Sequence, residues 1–158
     1  MADPKALQFG RKVEGLAYQD RAAVFGVVVR DGKLACVRVQ KPAGDYYDLP
    51  GGAVDPGETE PEALAREFGE ETGLRVRPRQ PYAWAAQHML KSDGRAVNNL
   101  CAFWTAEVDG EADPALKQED DHTLVWLDHD LALKVLRHDA YAWAVLAWTR
   151  TARNEGAP

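Results

Sequence analysis

The sequence predicts a single mixed α/β domain, and three observations support this prediction. The chain has 158 residues, the length of one ordinary globular domain. Two β-branched runs flank Asp31-Gly32 in "RAAVFGVVVRDGKLACVRVQK", which is a strong hairpin signal. Capping residues and an apolar stripe predict a helix from about Glu60 to Thr72. Strands on both sides of such a helix give a mixed α/β domain.

The remaining elements follow in order. Residues 1–20 are polar and predict a loose arm, an edge strand or a dimer element. After the hairpin, "PAGDYYDLPGG" reads as a loop with aromatic residues, and "VRPRQPYAWAAQHML" and "VNNLCAFWTAEV" read as long strands joined by a turn at Asp93-Gly94. An acidic loop, "DGEADPALKQEDD", precedes the short strand "HTLVWLD", and two helices begin at "LALKVL" and "HDAYAWAVLAWTRTAR". We therefore expect an arm over 1–20, a domain over 21–152 and a tail over 153–158.

The helix at Glu60 has signals at both ends. Thr59 and Glu62 have the spacing of a capping box, and a proline in the first turn loses no helical hydrogen bond. Gly73 is placed for a C-terminal cap. Leu64 and Phe68 lie one turn apart, so they are expected to pack this helix on a sheet.

Composition excludes several classes of protein. The net charge of −6 argues against a protein that binds duplex nucleic acid, which normally has a basic footprint. Small phosphate substrates stay possible, because a bound metal reverses the local field. Cys36 and Cys101 lie in apolar runs and are expected to be buried thiols, with a disulfide or metal pair as the alternative. No run is long enough to span a membrane and the N-terminus lacks a signal-peptide pattern, so we expect a cytoplasmic protein.

The predicted helix gathers carboxylates on one face. Glu67, Glu70 and Glu71 stand at i, i+3 and i+4, where like charges repel by about 0.2–0.5 kcal/mol per pair. Several hard oxygen ligands on a rigid helix suit Mg²⁺, or Mn²⁺ as the alternative, and a metal would offset the repulsion. On spacing alone, a solvated acidic helix face is the more ordinary interpretation.

The whole segment resembles the Nudix box. Gly52 is followed by five residues and Glu58, then by seven residues and Arg66-Glu67-Phe68, and then by "GEETGL". Every fixed position of the family pattern is filled, and only Phe68 departs mildly, since an aliphatic residue is usual there. The preceding "YYDLPGG" and the strand order also fit, so the resemblance covers roughly residues 20–150.

The resemblance implies a fold, a reaction and roles for the box residues. The fold is an α/β/α sandwich with a mixed β-sheet and a loop-helix-loop catalytic motif. The reaction is metal-dependent hydrolysis of the diphosphate linkage in a nucleotide or nucleoside-diphosphate derivative. Glu67, Glu70, Glu71 and the backbone carbonyl of Gly51 would hold the metal. Glu58 would assist them, and Arg66 would orient the glutamates.

The general base is open at this point. The family takes it either from the box, here Glu70 or Glu71, or from an acidic loop before a late strand. That loop offers Glu119, Asp120 and Asp121, of which we choose Glu119. A solvated acidic loop is the alternative for all three.

Substrate contacts are the least defined part of the sequence. We expect Tyr47 or its neighbour Tyr46, and Trp84, to stack on a base, and Arg38 or Lys41 to meet a phosphate. Packing and surface roles are the alternatives for each of them. Asn98, Asn99 and His88 are weaker candidates. The region after the box reads "AAQHMLK" and has neither the proline of ADP-ribose hydrolases nor the tyrosine of diadenosine polyphosphate hydrolases.

Two rival functions remain. A catalytically silent Nudix-like binding or regulatory domain typically loses box glutamates, which this chain keeps. A metal-binding structural protein would show stability that depends on metal without hydrolysis. For the hydrolase, the expected partner is a small-molecule nucleotide or diphosphate substrate, with no duplex nucleic acid and no membrane. Trp143, Trp148 and the N-terminal arm could build a homodimer interface, and core packing explains the tryptophans equally well.

Overall fold

A computed structural model describes the backbone of residues 7–156 and the side chains through residue 152. Nine strands and three α-helices occur in this part of the chain. The strands are β1 (Leu7–Phe9), β2 (Gln19–Val27), β3 (Val29–Arg30), β4 (Lys33–Val39), β5 (Tyr46–Asp48), β6 (Gly51–Ala53), β7 (Val76–Leu90), β8 (Ala96–Val108) and β9 (His122–Leu127). The helices are α1 (Glu60–Thr72), α2 (His129–Val135) and α3 (Asp139–Gly156), and Pro114–Leu116 form a 3₁₀ turn.

The strands form two sheets. The larger has the order β1-β7-β8-β2-β6 and is mixed, because β2 runs parallel to β8 while β7 and β8 are antiparallel. In the smaller sheet β4 pairs with β3, β5 and β9. Strand β1 pairs in parallel with β7 at the sheet edge, which is the edge-strand alternative for the N-terminal segment. Residues 1–6 of the predicted arm lie outside the described part of the chain.

The predicted hairpin forms, but its first strand belongs to two sheets. Asp31 and Gly32 have φ values of 52° and 76°, as a tight two-residue hairpin turn requires. The chain leaves the larger sheet after Val27 and joins the smaller one at Val29, with Val28 fully buried between them. The apolar run of the sequence continues through this change of sheet, so its pattern predicts one strand.

The glutamate helix has the predicted bounds. Both bonds of the Thr59 and Glu62 capping box are present, and Gly73 closes the helix with φ 76°. Leu64 and Phe68 are fully buried against the larger sheet. At Gly26 of β2 a Cβ atom would lie 2.7 Å from the Phe68 ring, so glycine permits this close packing.

The other two helices lie at the opposite face of the larger sheet. Tyr141 and Val145 of α3 are buried, as the helical stripe predicts, and Trp148 is partly buried against the same core. The side chain of Gln87 in β7 accepts a hydrogen bond of 3.1 Å from the backbone N–H of Ala140 at the start of α3. The predicted α/β/α arrangement with a mixed sheet is confirmed.

Two further predictions have clear outcomes. Cys36 and Cys101 are buried and free, as expected. The predicted loop "PAGDYYDLPGG" contains the short strands β5 and β6, which pair with β4 and β2. Each strand has three residues and Pro50 lies between them. Neither strand is long enough to show the alternation of apolar and polar residues that predicts a strand. They hold the box glycines against the sheet.

Candidate active site

One cavity is lined both by the glutamate helix α1 and by parts of the chain that are distant from it in sequence. Its volume is about 370 Å³, and Glu67, Glu71, Gly51 and Gly52 line one side of it. Glu119 and His122, from the acidic loop and the start of β9, also line it. We call this space the glutamate cavity.

Arg66 is the cation at the centre of the box carboxylates. Its guanidinium donates to both oxygens of Glu58, at 2.7 and 2.9 Å. It also donates to Glu67 at 2.9 Å, to Glu70 at 3.3 Å and to the carbonyl of Ala53 at 3.1 Å. These bonds lower the pKa of Glu58 to about 2, so Glu58 stays ionised and fixes the arginine. The carboxylate of Asp55 lies 3.5 Å from the same guanidinium, so four carboxylates share one positive charge.

Glu67 lies against the glycine turn before the helix. Burial raises the pKa of Glu67, the contact with Arg66 opposes this, and the nearby charges of Glu70 and Glu119 add to the increase. A Cβ atom at Gly52 would lie 2.8 Å from the Glu67 carboxyl carbon. Glycine at this box position therefore makes room for the Glu67 carboxylate.

Glu71 is held from two sides. Its carboxylate accepts a 2.8 Å hydrogen bond from the backbone N–H of Gly51 and lies 3.2 Å from Nε2 of His122. Gly51 has φ 146°, and a Cβ atom there would collide with the backbone carbonyl of Val24. Burial raises the pKa of Glu71 to about 7, although its bonds to His122 and Gly51 oppose that effect.

A row of charged side chains connects Glu71 to the protein surface. Nδ1 of His122 lies 2.7 Å from Asp121, and Asp121 accepts a 2.6 Å bond from Lys41. Burial alone would lower the pKa of His122, but its hydrogen bonds to Glu71 and Asp121 raise it to about 9. His122 is therefore positively charged at neutral pH and offsets the charge of Asp121 and Glu71.

The acidic loop is fastened to the end of α1. The backbone N–H groups of Gln118 and Glu119 both donate to the carbonyl of Glu70, at 2.9 and 3.0 Å. This is a helix-terminal carbonyl, which needs partners outside the helix. These two bonds hold the loop against α1, and the exposed side chain of Glu119 lines the cavity. A candidate general base must be able to reach the cavity in this way.

The donor chemistry at this site fits Mg²⁺ or Mn²⁺. Carboxylate oxygens are the ligands these ions prefer. Glu67 and Glu70 supply them beside Arg66, and the charge of Glu119 acts on Glu67. Glu119, Asp121 and His122 also each place one ligand atom within 4.8 Å of the others. The two oxygens of Glu71 already have protein donors in this structure.

The three predicted substrate contacts lie outside the residues that line this cavity. Arg38 pairs with Asp45 at 2.7 Å, and Tyr47 lies on β5 beside Leu136. Trp84 lies on β7 and is partly exposed. Tyr46 lines the cavity instead, since adjacent strand residues point to opposite faces.

Sequence reasoning missed a second charged pair in the cavity wall. Arg137 forms two hydrogen bonds with Asp48, at 3.0 and 2.7 Å, and its guanidinium lies 3.8 Å from the centre of the Tyr46 ring. Burial raises the pKa of Asp48, although Arg137 opposes the increase. The backbone N–H of Arg137 donates to the carbonyl of Tyr47, which joins the helical region to β5. The two residues are far apart in sequence and carry no motif, so no local signal pairs them.

A larger cavity, of about 490 Å³, lies between α3 and strands β7 and β8. Its charged side chains are Arg79 and Glu107, which lie 3.8 Å apart. The box residues do not line it. In the described residues no helix is both long and apolar enough to cross a membrane.

Comparisons with known proteins identify the family of this chain. The sequence model of the NUDIX domain matches residues 20–149. The CTP pyrophosphohydrolase of Escherichia coli strain K12 is 29% identical over 115 residues, which cover 70% of this chain and 78% of that protein. The ADP-ribose pyrophosphatase of Methanocaldococcus jannaschii is 45% identical over 53 residues, a local match covering 33% of this chain and 31% of the relative.

A solved structure shows the same fold. The NUDIX hydrolase of Nitrosomonas europaea superposes with a TM-score of 0.70 at 21% identity, and the match covers 84% of this chain and 90% of that one. The domain match spans most of the chain. The chain belongs to the NUDIX hydrolase family.

Proposed function

We propose that this protein is a metal-dependent pyrophosphohydrolase that cleaves the diphosphate linkage of a nucleotide or nucleoside-diphosphate derivative. The observation that carries the proposal is the charge imbalance at Arg66. Glu58, Glu67 and Glu70 contact this single guanidinium, while Glu119 adds a further carboxylate nearby. Such a site attracts cations and repels a diphosphate until a cation is bound.

The residues that would hold Mg²⁺, or Mn²⁺, are Glu67, Glu70, Glu71 and the carbonyl of Gly51. When bound, the ion supplies charge stabilisation for the diphosphate and a lower pKa for a water molecule. The assignment of Glu71 requires its contact with His122 to loosen, because both carboxylate oxygens have protein partners.

The chain's own groups then have separate tasks. Arg66 keeps Glu67 and Glu70 directed to the same side of α1. Glu119 accepts a proton from the water that attacks phosphorus, as its exposed carboxylate at the cavity allows. The water oxygen forms the new bond to phosphorus while the bridging oxygen leaves with the other phosphate. Glu70 and Glu71 are the alternative bases.

The names of two relatives support a nucleotide derivative as the substrate class. One relative is a CTP pyrophosphohydrolase and the other is an ADP-ribose pyrophosphatase. Both names describe cleavage of a phosphoric anhydride. The cavity also offers the ring of Tyr46 and the pair of Asp48 and Arg137 beside the glutamates, which suits an aromatic base with polar edges.

The experiment is a substrate panel of nucleoside triphosphates, dinucleotides and nucleotide sugars. Each compound is incubated with Mg²⁺, with Mn²⁺ or with chelator, and products are identified by chromatography. Turnover of one class that disappears with chelator supports the proposal. Metal binding without turnover of any compound would favour the silent binding domain.

A further inference from the structure

Two cations occupy part of the glutamate cavity that the proposed chemistry does not use. Arg21 lies near the start of β2 and Lys91 directly follows β7, and both line the cavity. Arg21 stands four residues before Phe25, the strand partner of Gly51. That separation is about 13 Å along a strand. Arg21 therefore lies away from the box glycines Gly51 and Gly52 along β2.

Arg21 is held in position by a buried amide. Its Nε donates a 2.9 Å hydrogen bond to Oδ1 of Asn99, its neighbour across the parallel β2–β8 pair. Asn99 is only 2% exposed, and its Nδ2 lies 3.1 Å from the sulfur of Met89, a weak acceptor. The terminal nitrogens of the Arg21 guanidinium have no protein acceptor among the described residues. They remain available to a ligand.

Lys91 lies beside other cations. Burial lowers the pKa of Lys91, and the charges of Arg21 and Arg95 lower it further. Asp93 opposes the shift, but its carboxylate already binds Arg95 at 2.8 Å. Within the described side chains, no carboxylate comes within 4.0 Å of the Lys91 ammonium or the Arg21 guanidinium.

The other cations of the cavity differ in this respect, and His122 lies beside both Glu71 and Asp121. Lys41 is 2.6 Å from Asp121, and Arg137 is 2.7 Å from Asp48. Each has its own carboxylate, so each is neutralised by the fold. Arg21 and Lys91 repel each other and are not neutralised, which costs stability unless an anion binds between them.

We propose that Arg21 and Lys91, with Arg21 fixed by Asn99, form a phosphate subsite in the glutamate cavity. It binds a phosphate of the substrate that is not held by the box carboxylates. The inference deepens the proposed function and rests on it for the identity of the substrate. It narrows the substrate class to compounds that carry a further phosphate beyond the diphosphate linkage that is cleaved. Two sources supply that group: the terminal phosphate of a nucleoside triphosphate, or the second nucleotide of a dinucleoside polyphosphate.

Direct binding tests the subsite without catalysis. Methylenediphosphonate, a diphosphate analogue that cannot be hydrolysed, is titrated calorimetrically into the wild-type protein in the presence of Mg²⁺, so the box carboxylates are neutralised and turnover does not contribute. Arg21→Gln and Lys91→Gln should each weaken binding about tenfold, the value of a charged hydrogen bond. Arg21→Lys should recover part of the loss. Lys33→Gln removes a surface cation outside the cavity and should change nothing. Thermal denaturation checks that each variant is folded.

Two results of this titration would overturn the proposal. One is the absence of methylenediphosphonate binding to the wild-type protein with Mg²⁺ present, and the other is equal affinity in wild type and both cavity variants. Loss of binding in the variants of a protein that hydrolyses nothing would support the subsite and reject the hydrolase. The failures of the two proposals are thus distinguishable.

Kinetics then distinguish the two sources of the phosphate. A subsite that binds ground state and transition state equally raises KM when it is removed and leaves kcat unchanged. A KM increase only for nucleoside triphosphates identifies the terminal phosphate. An increase only for dinucleoside polyphosphates identifies the second nucleotide. Unchanged KM for both, in Arg21→Gln and Lys91→Gln, contradicts the subsite.

Discussion

Nε2 of His122 lies 3.2 Å from the buried carboxylate of Glu71, and Nδ1 of the same ring lies 2.7 Å from Asp121. The histidine thus joins the glutamate helix to the start of β9. Neighbouring carboxylates keep the ring protonated, and the protonated ring compensates the charge of a carboxylate that has little access to water.

Replacement of His122 tests this relationship. His122→Ala leaves one oxygen of Glu71 without its donor, which should cost about 1–3 kcal/mol of stability and lower kcat. His122→Gln retains an N–H donor and should recover part of both. His88→Ala, at a histidine outside the cavity lining, is the control. Chemical denaturation and initial rates are the measurements, and wild-type behaviour of His122→Ala would contradict the role.

Removal of Arg66 should make stability depend on metal. Arg66→Gln leaves Glu58, Glu67 and Glu70 without their shared cation, and we expect a loss of about 2–4 kcal/mol. Added Mg²⁺ should raise the melting temperature of the variant more than that of the wild type, because the ion replaces part of the lost charge. Equal shifts in both proteins would contradict the shared-cation account.

Gly52→Ala tests the contact between the glycine turn and the helix. The new Cβ would lie 2.8 Å from the Glu67 carboxyl carbon, so the side chain must move and metal affinity should fall. Gly69→Ala is the matched control. Its Cβ would lie 3.4 Å from Leu116, and alanine favours a helix by about 1 kcal/mol. Titration of Mn²⁺ measures both, and equal affinities would reject the steric role of Gly52.

His138, which does not line the glutamate cavity, should make the stability of the protein depend on pH. Burial and the charge of Arg137 lower the pKa of His138 from 6.5 to about 4, and its Nε2 is buried without a hydrogen-bond partner among the described residues. Between pH 6.5 and 4 the unfolded chain binds more protons at this site, so stability should fall as pH falls through that window. The contribution is at most about 3 kcal/mol.

Denaturant unfolding at several pH values measures this effect. His138→Gln should flatten the decline between pH 6.5 and 4, because glutamine does not titrate. Other acid-sensitive groups still act below pH 4, so the comparison is with the wild-type slope. An identical slope in the variant would show that His138 is protonated in the folded protein as readily as in the unfolded one.

Local signals explain which parts of the fold the sequence predicts. The bounds of α1 are confirmed because capping by Thr59 and Glu62 and the closing Gly73 depend on near neighbours. The change of sheet at Val28 depends on tertiary packing, since residues on both sides of it are equally apolar. Strands β5 and β6 are likewise held by distant partners rather than by their own period.

The same distinction applies to the candidate site. The box carboxylates are close in sequence, and one helix presents them together. His122 meets Glu71 only after β9 pairs with β4, and Asp48 meets Arg137 only after the helical region joins β5. Tyr46 rather than Tyr47 lines the cavity because alternate residues of strand β5 face opposite sides. A strand of three residues is too short for the sequence to show which of the two tyrosines faces the cavity.

The most direct test of the account is the Mg²⁺ dependence of substrate hydrolysis by wild type and Glu70→Gln, measured on the best compound of the panel. We predict saturable activation by Mg²⁺, complete loss with chelator, and a decrease of at least about 100-fold in kcat for the variant, of the size seen when electrostatic catalytic groups are removed. Its circular dichroism and melting should stay near wild type. Turnover that persists in chelator, or full activity of Glu70→Gln, would contradict a metal-dependent reaction at the glutamate helix.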